Sequence, residues 1–251
     1  MYFCCGITEQ GIMPHNEDAL MIAGSVRDSG ASAEYVKAPF IAAVSDGVSG
    51  ESAGEIASMT CLNLLRDVDY NADTDLKDAL LGIHRTLTEQ GSKNRETENM
   101  QATLCGVAID EYDMVHPFNV GDSRVYLFRA GRLRQITRDQ TLVQLLYEEG
   151  SITLEEKKTH VHRNIIFPAI GNMKSTPQVD FFPMDGGLLY GDMLLICTDG
   201  LSDHLSSYDI EEVLELPKSL PERLNMLVKM SLARGCNDNI SVIAIVYCED
   251  K

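Results

Sequence analysis

The chain is short of positive charge. It carries 21 Lys and Arg against 38 Asp and Glu, a formal net charge of −17. With no basic surplus to neutralise phosphates, nucleic acid and anionic membrane surfaces are disfavoured as partners. Long apolar runs are missing too: no stretch reaches the ~18 residues expected of a membrane-crossing helix. The start, Met1-Tyr2-Phe3-Cys4-Cys5-Gly6-Ile7, has neither a basic leader nor an extended apolar core, so no signal peptide is expected. The seven cysteines are odd in number and form no CxxC pair. Most lie in apolar runs, where a free thiol behaves as a small hydrophobe. That usage points to a reducing cytoplasm and away from a disulfide framework or a zinc site. GxSxG, P-loop and GxGxxG motifs are also lacking, which leaves a Ser or Cys nucleophile with little support.

What is present is enough apolar material for a core. In 251 residues, 44% are hydrophobic, and a chain of this length is compatible with one layered domain spanning 1–251. Apolar runs that fit strands lie near 2–8, 19–23, 39–45, 102–109, 114–120, 124–129, 132–136, 193–198 and 240–247. Helical spacing fits 51–68, with Ile56, Met59, Leu62 and Leu65 in its stripe, and 75–90, with Leu76, Leu80, Ile83 and Leu87 on one face. Further helices fit 140–149, 208–215 and 220–234. Strands in runs with helices grouped between them predict an α+β layered fold with antiparallel sheets. Residues 24–38 read as a long hairpin loop, and 138–176 as largely irregular.

Four acidic motifs carry the chemistry: His15-Asn16-Glu17-Asp18, Ser45-Asp46-Gly47, Thr198-Asp199-Gly200 and Asn237-Asp238-Asn239. Asp46 and Asp199 follow apolar runs, and Asp238 precedes one. A carboxylate at a buried strand end is costly unless a cation meets it. Several converging carboxylates point to hard divalent cations, which prefer oxygen ligands. Taken singly, each motif also reads as a turn. Asp-Gly favours tight reversals, and that reading is adopted for Asp185-Gly186. Asn119-Val120-Gly121-Asp122-Ser123-Arg124 reads as a hairpin between two strands. His160-Val161-His162 is a weak HxH pair without a matching His or Cys cluster, and His84 and His116 read as structural.

In this order the motifs resemble the metal-dependent protein phosphatase family (PPM, or PP2C-like), and in particular its bacterial branch. The resemblance rests on Gly11 with Asn16-Glu17-Asp18-Ala19, on Asp46-Gly47-Val48-Ser49-Gly50 continuing to Gly54-Glu55-Ile56-Ala57-Ser58, and on Gln101-Ala102-Thr103-Leu104. It continues through Val120-Gly121-Asp122-Ser123-Arg124, Thr198-Asp199-Gly200-Leu201 and Asn237-Asp238-Asn239-Ile240-Ser241. The resemblance implies a four-layer α-β-β-α sandwich with two Mn²⁺ or Mg²⁺ ions in a cleft between the sheets. By position, Asp46 bridges the metals and Asp199 and Asp238 complete the first. Glu17 and the Gly47 carbonyl serve the second, and Asp18 orients metal-bound water. Asp122, with Asp199, matches a third-metal site, and 138–170 matches a flap beside the active site. The implied reaction is hydrolysis of phosphoserine and phosphothreonine in proteins by a dimetal-bound hydroxide, without a covalent phosphoenzyme. Phosphoproteins are then the substrates, and a cognate Ser/Thr kinase a partner.

One part departs from the pattern. The family usually has an Arg three residues before the Asn16 position to grip the substrate phosphate, and here that position is Met13. A thioether offers none of the bidentate, charge-assisted contacts of a guanidinium. His15, Arg163 and Lys174 are candidate substitutes. Ser49 and Glu51 replace common Gly and His positions, and Pro168 stands where an Arg is frequent. Met13 keeps open an alternative, a metal-binding pseudophosphatase that binds phosphoproteins or regulates a kinase. A Ca²⁺-stabilised structural domain is a further reading, although a contiguous EF-hand loop is lacking.

Overall fold

A computed structural model describes residues 1–48, 53–184 and 186–248. Ser49, Gly50, Glu51 and Asp185 lie outside the described residues. The elements, in chain order, begin with five strands: β1 (Tyr2–Glu9), β2 (Asp18–Ile22), β3 (Ser25–Arg27), β4 (Gly30–Val36) and β5 (Phe40–Asp46). Helices α1 (Gly54–Arg66) and α2 (Leu76–Gly91) follow, then β6 (Leu104–Ile109), β7 (Val115–Val120), β8 (Arg124–Arg129) and β9 (Arg132–Gln135). Next come α3 (Leu142–Glu148), α4 (Leu154–Thr159), β10 (Asp180–Phe181) and β11 (Met193–Cys197). The chain closes with α5 (Asp199–Ser202), α6 (Ser207–Leu214), α7 (Leu220–Ala233) and β12 (Ile240–Tyr247).

The strands form two six-stranded antiparallel sheets, ordered β4-β1-β12-β11-β8-β9 and β10-β7-β6-β5-β2-β3. Central strands such as β12 (ISVIAIVY) and β11 (MLLIC) are apolar throughout because both of their faces are covered. Alternate residues serve alternate layers. Leu20, Ile22, Val44 and Val107 meet Leu127, Ile196, Ile243 and Ile245 between the sheets. Met21, Ala43 and Leu104 turn outward onto α1 and α2 through Leu62, Leu65, Leu80 and Leu87. On the far side Leu195, Val242 and Ala244 pack under α6 and α7 through Ile210, Leu214, Leu224 and Leu227. The result is an α-β-β-α sandwich of four layers, as the resemblance implies.

Three readings from sequence change. Residues 24–38 are not a loop: β3 pairs with β2, and β4 pairs with β1 in the other sheet, so the chain changes sheets near Asp28. The small, polar residues there suit edge strands with an exposed face. Residues 119–124 are not a hairpin either, because β7 and β8 belong to different sheets. Gly121, at φ +114°, makes that crossover, and a Cβ on it would lie 2.7 Å from the Thr103 methyl. Finally, the buried stripe of α1 is Ala57, Cys61, Leu62 and Leu65, while Ile56 is exposed. Leu62 and Leu65 are buried as expected, and the small residues Ala57 and Cys61 complete the stripe in place of Ile56. For α2 the predicted face Leu76, Leu80, Ile83 and Leu87 is the buried one.

Candidate active site

The acidic motifs meet where one end of each sheet comes together. Asp18 opens β2 and Asp46 ends β5, and the two are direct cross-strand partners. Asp199 follows β11 after one residue, and Asp238 precedes β12 after one residue. Hydrogen bonds knit these ends across the sheets. Thr198 Oγ1 donates to Asp18 Oδ2 at 2.8 Å and accepts from the Ser241 amide at 3.0 Å. The Glu17 amide donates to Asn239 Oδ1 at 2.8 Å, and the Gly47 amide donates to the Glu17 carbonyl at 3.0 Å. Asn239 Nδ2 in turn holds the carbonyls of Gln10 and His15. Thr103 links the remaining motifs: its Oγ1 accepts from the Asp46 amide at 3.1 Å and lies 3.0 Å from Ser123 Oγ, beside Asp122.

The loop after Asp46 is shaped by close approach. A Cβ on Gly47 would lie 2.4 Å from the backbone of Gly54, so only glycine fits there. Gly54 begins α1 and leaves room for the Glu17 carboxylate, whose Cδ would stand 3.0 Å from a Cβ at that position. The N-terminal end of a helix favours such a negative charge.

Electrostatics show how unfavourable the assembly is by itself. Burial, followed by the charges of Asp18, Asp199, Asp238 and Asp122, pushes the Asp46 carboxyl well above its usual range. Burial pushes Asp18 up to about 7, against the opposing hydrogen bond from Thr198. Asp122 is also pushed up to about 7, by burial and then by Asp139. Asp199 is raised by burial and then by Asp122, and Asp238 by burial and by Asp203. Asp199 Oδ1 is buried and has no hydrogen-bond partner among the described residues. An orphaned carboxylate oxygen among mutually repelling acids is costly, and a hard cation relieves both penalties. The donor set therefore fits oxygen-ligated divalent ions. Among the described residues no three His, Cys, Asp or Glu side chains are already gathered closely enough to hold an ion. Ligand closure would be an adjustment of side chains on fixed strand ends.

Beside this cluster lies a cavity of about 490 Å³. Asp122 and Asp199 line it, whereas Glu17, Asp18, Asp46 and Asp238 do not. Its cationic wall comes from Arg124, Lys157, Lys158, Arg163 and Arg234. Arg163 is thus the one sequence-predicted substitute for the missing Arg that reaches this cavity. His15 and Lys174 are exposed and do not line it. Met13 sits half-buried in a turn held by Gln10 Nε2 on its carbonyl at 2.7 Å. His160 and His162 are tied to each other, the His162 amide donating to His160 Nδ1 at 3.1 Å. His84 accepts from the Gly171 amide and His116 pairs with Asp110, as structural residues do.

Sequence reasoning missed three contributors. Thr198 and Asn239 position neighbouring acids, and their only signal was adjacency to Asp199 and Asp238. Asp203 adds negative charge beside Asp122, Asp199 and Asp238. Its spacing of four from Asp199 was a legible signal, since i and i+4 share a helix face.

A family model described as protein phosphatase 2C matches residues 24–234. The chain belongs to the protein phosphatase 2C family. It is 33% identical over 227 residues to the serine/threonine protein phosphatase PstP of Mycobacterium tuberculosis, covering 88% of this chain and 42% of that protein. It therefore spans about two fifths of the length of that relative. The serine/threonine phosphatase stp of Listeria innocua is 29% identical over 248 residues, 95% of this chain and 93% of that one. The crystal structure of the PstP catalytic domain in complex with two manganese ions superposes with a TM-score of 0.78 at 28% identity, covering 99% and 100% of the two chains. These protein phosphatase 2C relatives are bacterial, in keeping with the branch that the motifs resemble.

Proposed function

We propose that the chain is a Mn²⁺- or Mg²⁺-dependent phosphatase that hydrolyses phosphoserine and phosphothreonine in proteins. The observation that carries this reading is the gathering of Glu17, Asp18, Asp46, Asp199 and Asp238 at facing strand ends, with Asp199 Oδ1 buried and unpartnered. In this reading Asp46 would be shared between two cations. Asp199 and Asp238 would hold the first, Glu17 and the Gly47 carbonyl would hold the second, and Asp122 would belong to a weaker third site. When bound, the cations supply an activated water and neutralise charge on the phosphoryl oxygens. Asp18, fixed by Thr198 Oγ1, would orient that water. Thr103 holds the Asp46 backbone in register with the Asp122 crossover. Segment 138–170 acts as the flap, and Arg163 brings a cation to the cavity edge in place of the Arg absent at Met13.

The relatives named above support this reading, since each is named as a phosphatase. The pseudophosphatase alternative draws no support from them. Substrates are phosphoproteins, and an opposing Ser/Thr kinase is the partner this implies. No helix among the described residues is long and apolar enough to cross a membrane. The cysteines among them are free and mostly buried, which supports the cytoplasmic setting. The test is Mn²⁺-dependent phosphate release from a phosphothreonine peptide, with a chelator control. Asp46→Asn, Asp199→Asn and Asp238→Asn should each abolish release and weaken Mn²⁺ binding. Wild-type activity in all three would remove the site assignment.

A further inference from the structure

The segment that carries α3 and α4 is a closed excursion. Its base is pinned by backbone pairing: the Leu142 amide donates to the Ile165 carbonyl at 2.9 Å, and the Phe167 amide to the Gln140 carbonyl at 2.8 Å. Within it, α3 is secured by the buried Val143 and by Arg138, whose Nε donates to Glu148 Oε1 at 2.6 Å. Helix α4 has no such footing, because none of its residues is buried. Its capping box, Thr153 with Glu156, stabilises the helix locally but attaches it to nothing else.

Lys157 makes the attachment. Its ammonium reaches Asp139 Oδ2 at 3.4 Å and donates to Gln144 Oε1. Among the described residues it is the α4 side chain that hydrogen-bonds beyond its own helix and cap. Asp139 is a firm anchor. It is buried, accepts from Arg124 Nε and Nη2 at 2.8 Å each, and accepts from Gln135 Nε2 at 2.8 Å. Arg124 lies two residues beyond Asp122, and its Nη1 reaches the carbonyl of Ser202 at 3.4 Å, on the short helix that begins at Asp199. A continuous set of charge-assisted contacts thus runs from α4 to the Asp122 crossover and to the helix that begins at Asp199, both bordering the cavity.

We propose that Lys157 is a positioning residue, a latch that holds α4 against the Asp139–Arg124 pair and so aims Lys158 and Arg163 into the cavity beside Asp122 and Asp199. Lys158 and Arg163 form no ion pair among the described residues, whereas Arg124, Lys157 and Arg234 are all committed to carboxylates. The uncommitted cations are the ones the latch presents, and the acidic cleft otherwise repels a phosphorylated substrate. The assignment rests on the phosphatase reading above, but the latch itself is a property of the free protein.

Lys157→Met removes the ammonium and keeps an unbranched chain. In the full chain without substrate, amide hydrogen exchange over 154–165 should become about tenfold faster, because a charge-assisted tie is lost. On the Mn²⁺-loaded protein, KM for a phosphothreonine peptide should rise about tenfold with kcat within about twofold, the signature of lost binding rather than lost chemistry. Lys157→Arg should restore both. If Lys157→Met does not fold, Gln144→Leu, which removes the other partner, gives the same exchange test. Unchanged exchange over 154–165 overturns the proposal. A fall in kcat at constant KM and constant exchange also overturns it, by assigning Lys157 to the reacting phosphate. A wild-type protein without Mn²⁺-dependent turnover would instead refute the phosphatase reading, with the exchange comparison still deciding the latch.

Discussion

Replacing Thr198 by Val keeps the shape of the side chain and removes one oxygen. That oxygen has two partners, both buried. It donates to Asp18 Oδ2 at 2.8 Å, and it accepts from the Ser241 amide at 3.0 Å. Thr198 and Ser241 are 0% exposed and Asp18 is 1% exposed, so water cannot replace either bond. A hydrogen bond to a charged group contributes about 1.5–3 kcal/mol, and a buried amide left unsatisfied costs about 1–3 kcal/mol. The two terms share one atom and are not additive, so the expected destabilisation is about 2–4 kcal/mol. In a chain of this size that corresponds to a fall in melting temperature of about 5–15 °C. Urea denaturation with a chelator present, at about pH 8.5 so that Asp18, pushed up to about 7 by burial, is ionised, measures it directly. Catalysis should suffer in parallel, since Asp18 loses the contact that orients its carboxylate across the inter-sheet seam. Thr198→Ser keeps the hydroxyl and should recover most of both properties. A Thr198→Val protein within about 0.5 kcal/mol of wild type, with normal kcat, would refute the idea that this hydroxyl spans the two sheets.

Two more outcomes follow from neighbouring parts. Burial works to raise the Asp139 carboxyl, but Arg124, then Lys157 and Gln135, outweigh it and hold it below the usual carboxylate range. Its stabilising contribution is therefore complete above the unfolded-state value of about 3.9 and disappears as pH falls through the folded-state value. Asp139→Asn should lose about 3–5 kcal/mol at pH 7, because Arg124 is left as an uncompensated, largely buried cation. The gap to wild type in urea titrations should close as the pH is taken below about 4, and a gap independent of pH would refute the argument. Met13→Arg places a guanidinium on a turn already pinned by Gln10 and, through the Gln10 and His15 carbonyls, by Asn239. It should lower KM or raise turnover of a phosphothreonine peptide, and no change in either would show that Met13 does not limit the enzyme.

Much of the architecture was legible because its physics is local or periodic. The apolar runs at 39–45, 193–198 and 240–247 have one reading, a strand covered on both faces. The 3.6-residue spacing of Leu76, Leu80, Ile83 and Leu87 has one as well. The acids were legible for a related reason: Asp46, Asp199 and Asp238 stand where a buried strand meets a turn, so each advertises a missing cation. The edge strands at 25–27 and 30–36 were not legible. Gly, Ala and Ser carry no periodic signal, and their pairing comes from β2 and β1, which lie in different sheets. The stripe of α1 was legible at Leu62 and Leu65 but not at its start, where Ala57 is buried and Ile56 is exposed.

The sequence by itself determined the inventory: which strands are central, which carboxylates close them, and that Met13 stands where the family resemblance leads one to expect an Arg. Tertiary structure alone decided how that inventory is connected. It turned 119–124 from a hairpin into a crossover between sheets and chose Arg163 over His15 and Lys174 as the cation at the cavity. It also made Thr198, Asn239 and Lys157 the residues that hold the site in place. The physical reason is range. Burial and turn preference act over a few residues and leave a mark in the sequence. Hydrogen bonds between residues 18 and 198, 17 and 239, or 139 and 157 exist only after the two sheets have packed together and the 140–167 excursion has closed on its base.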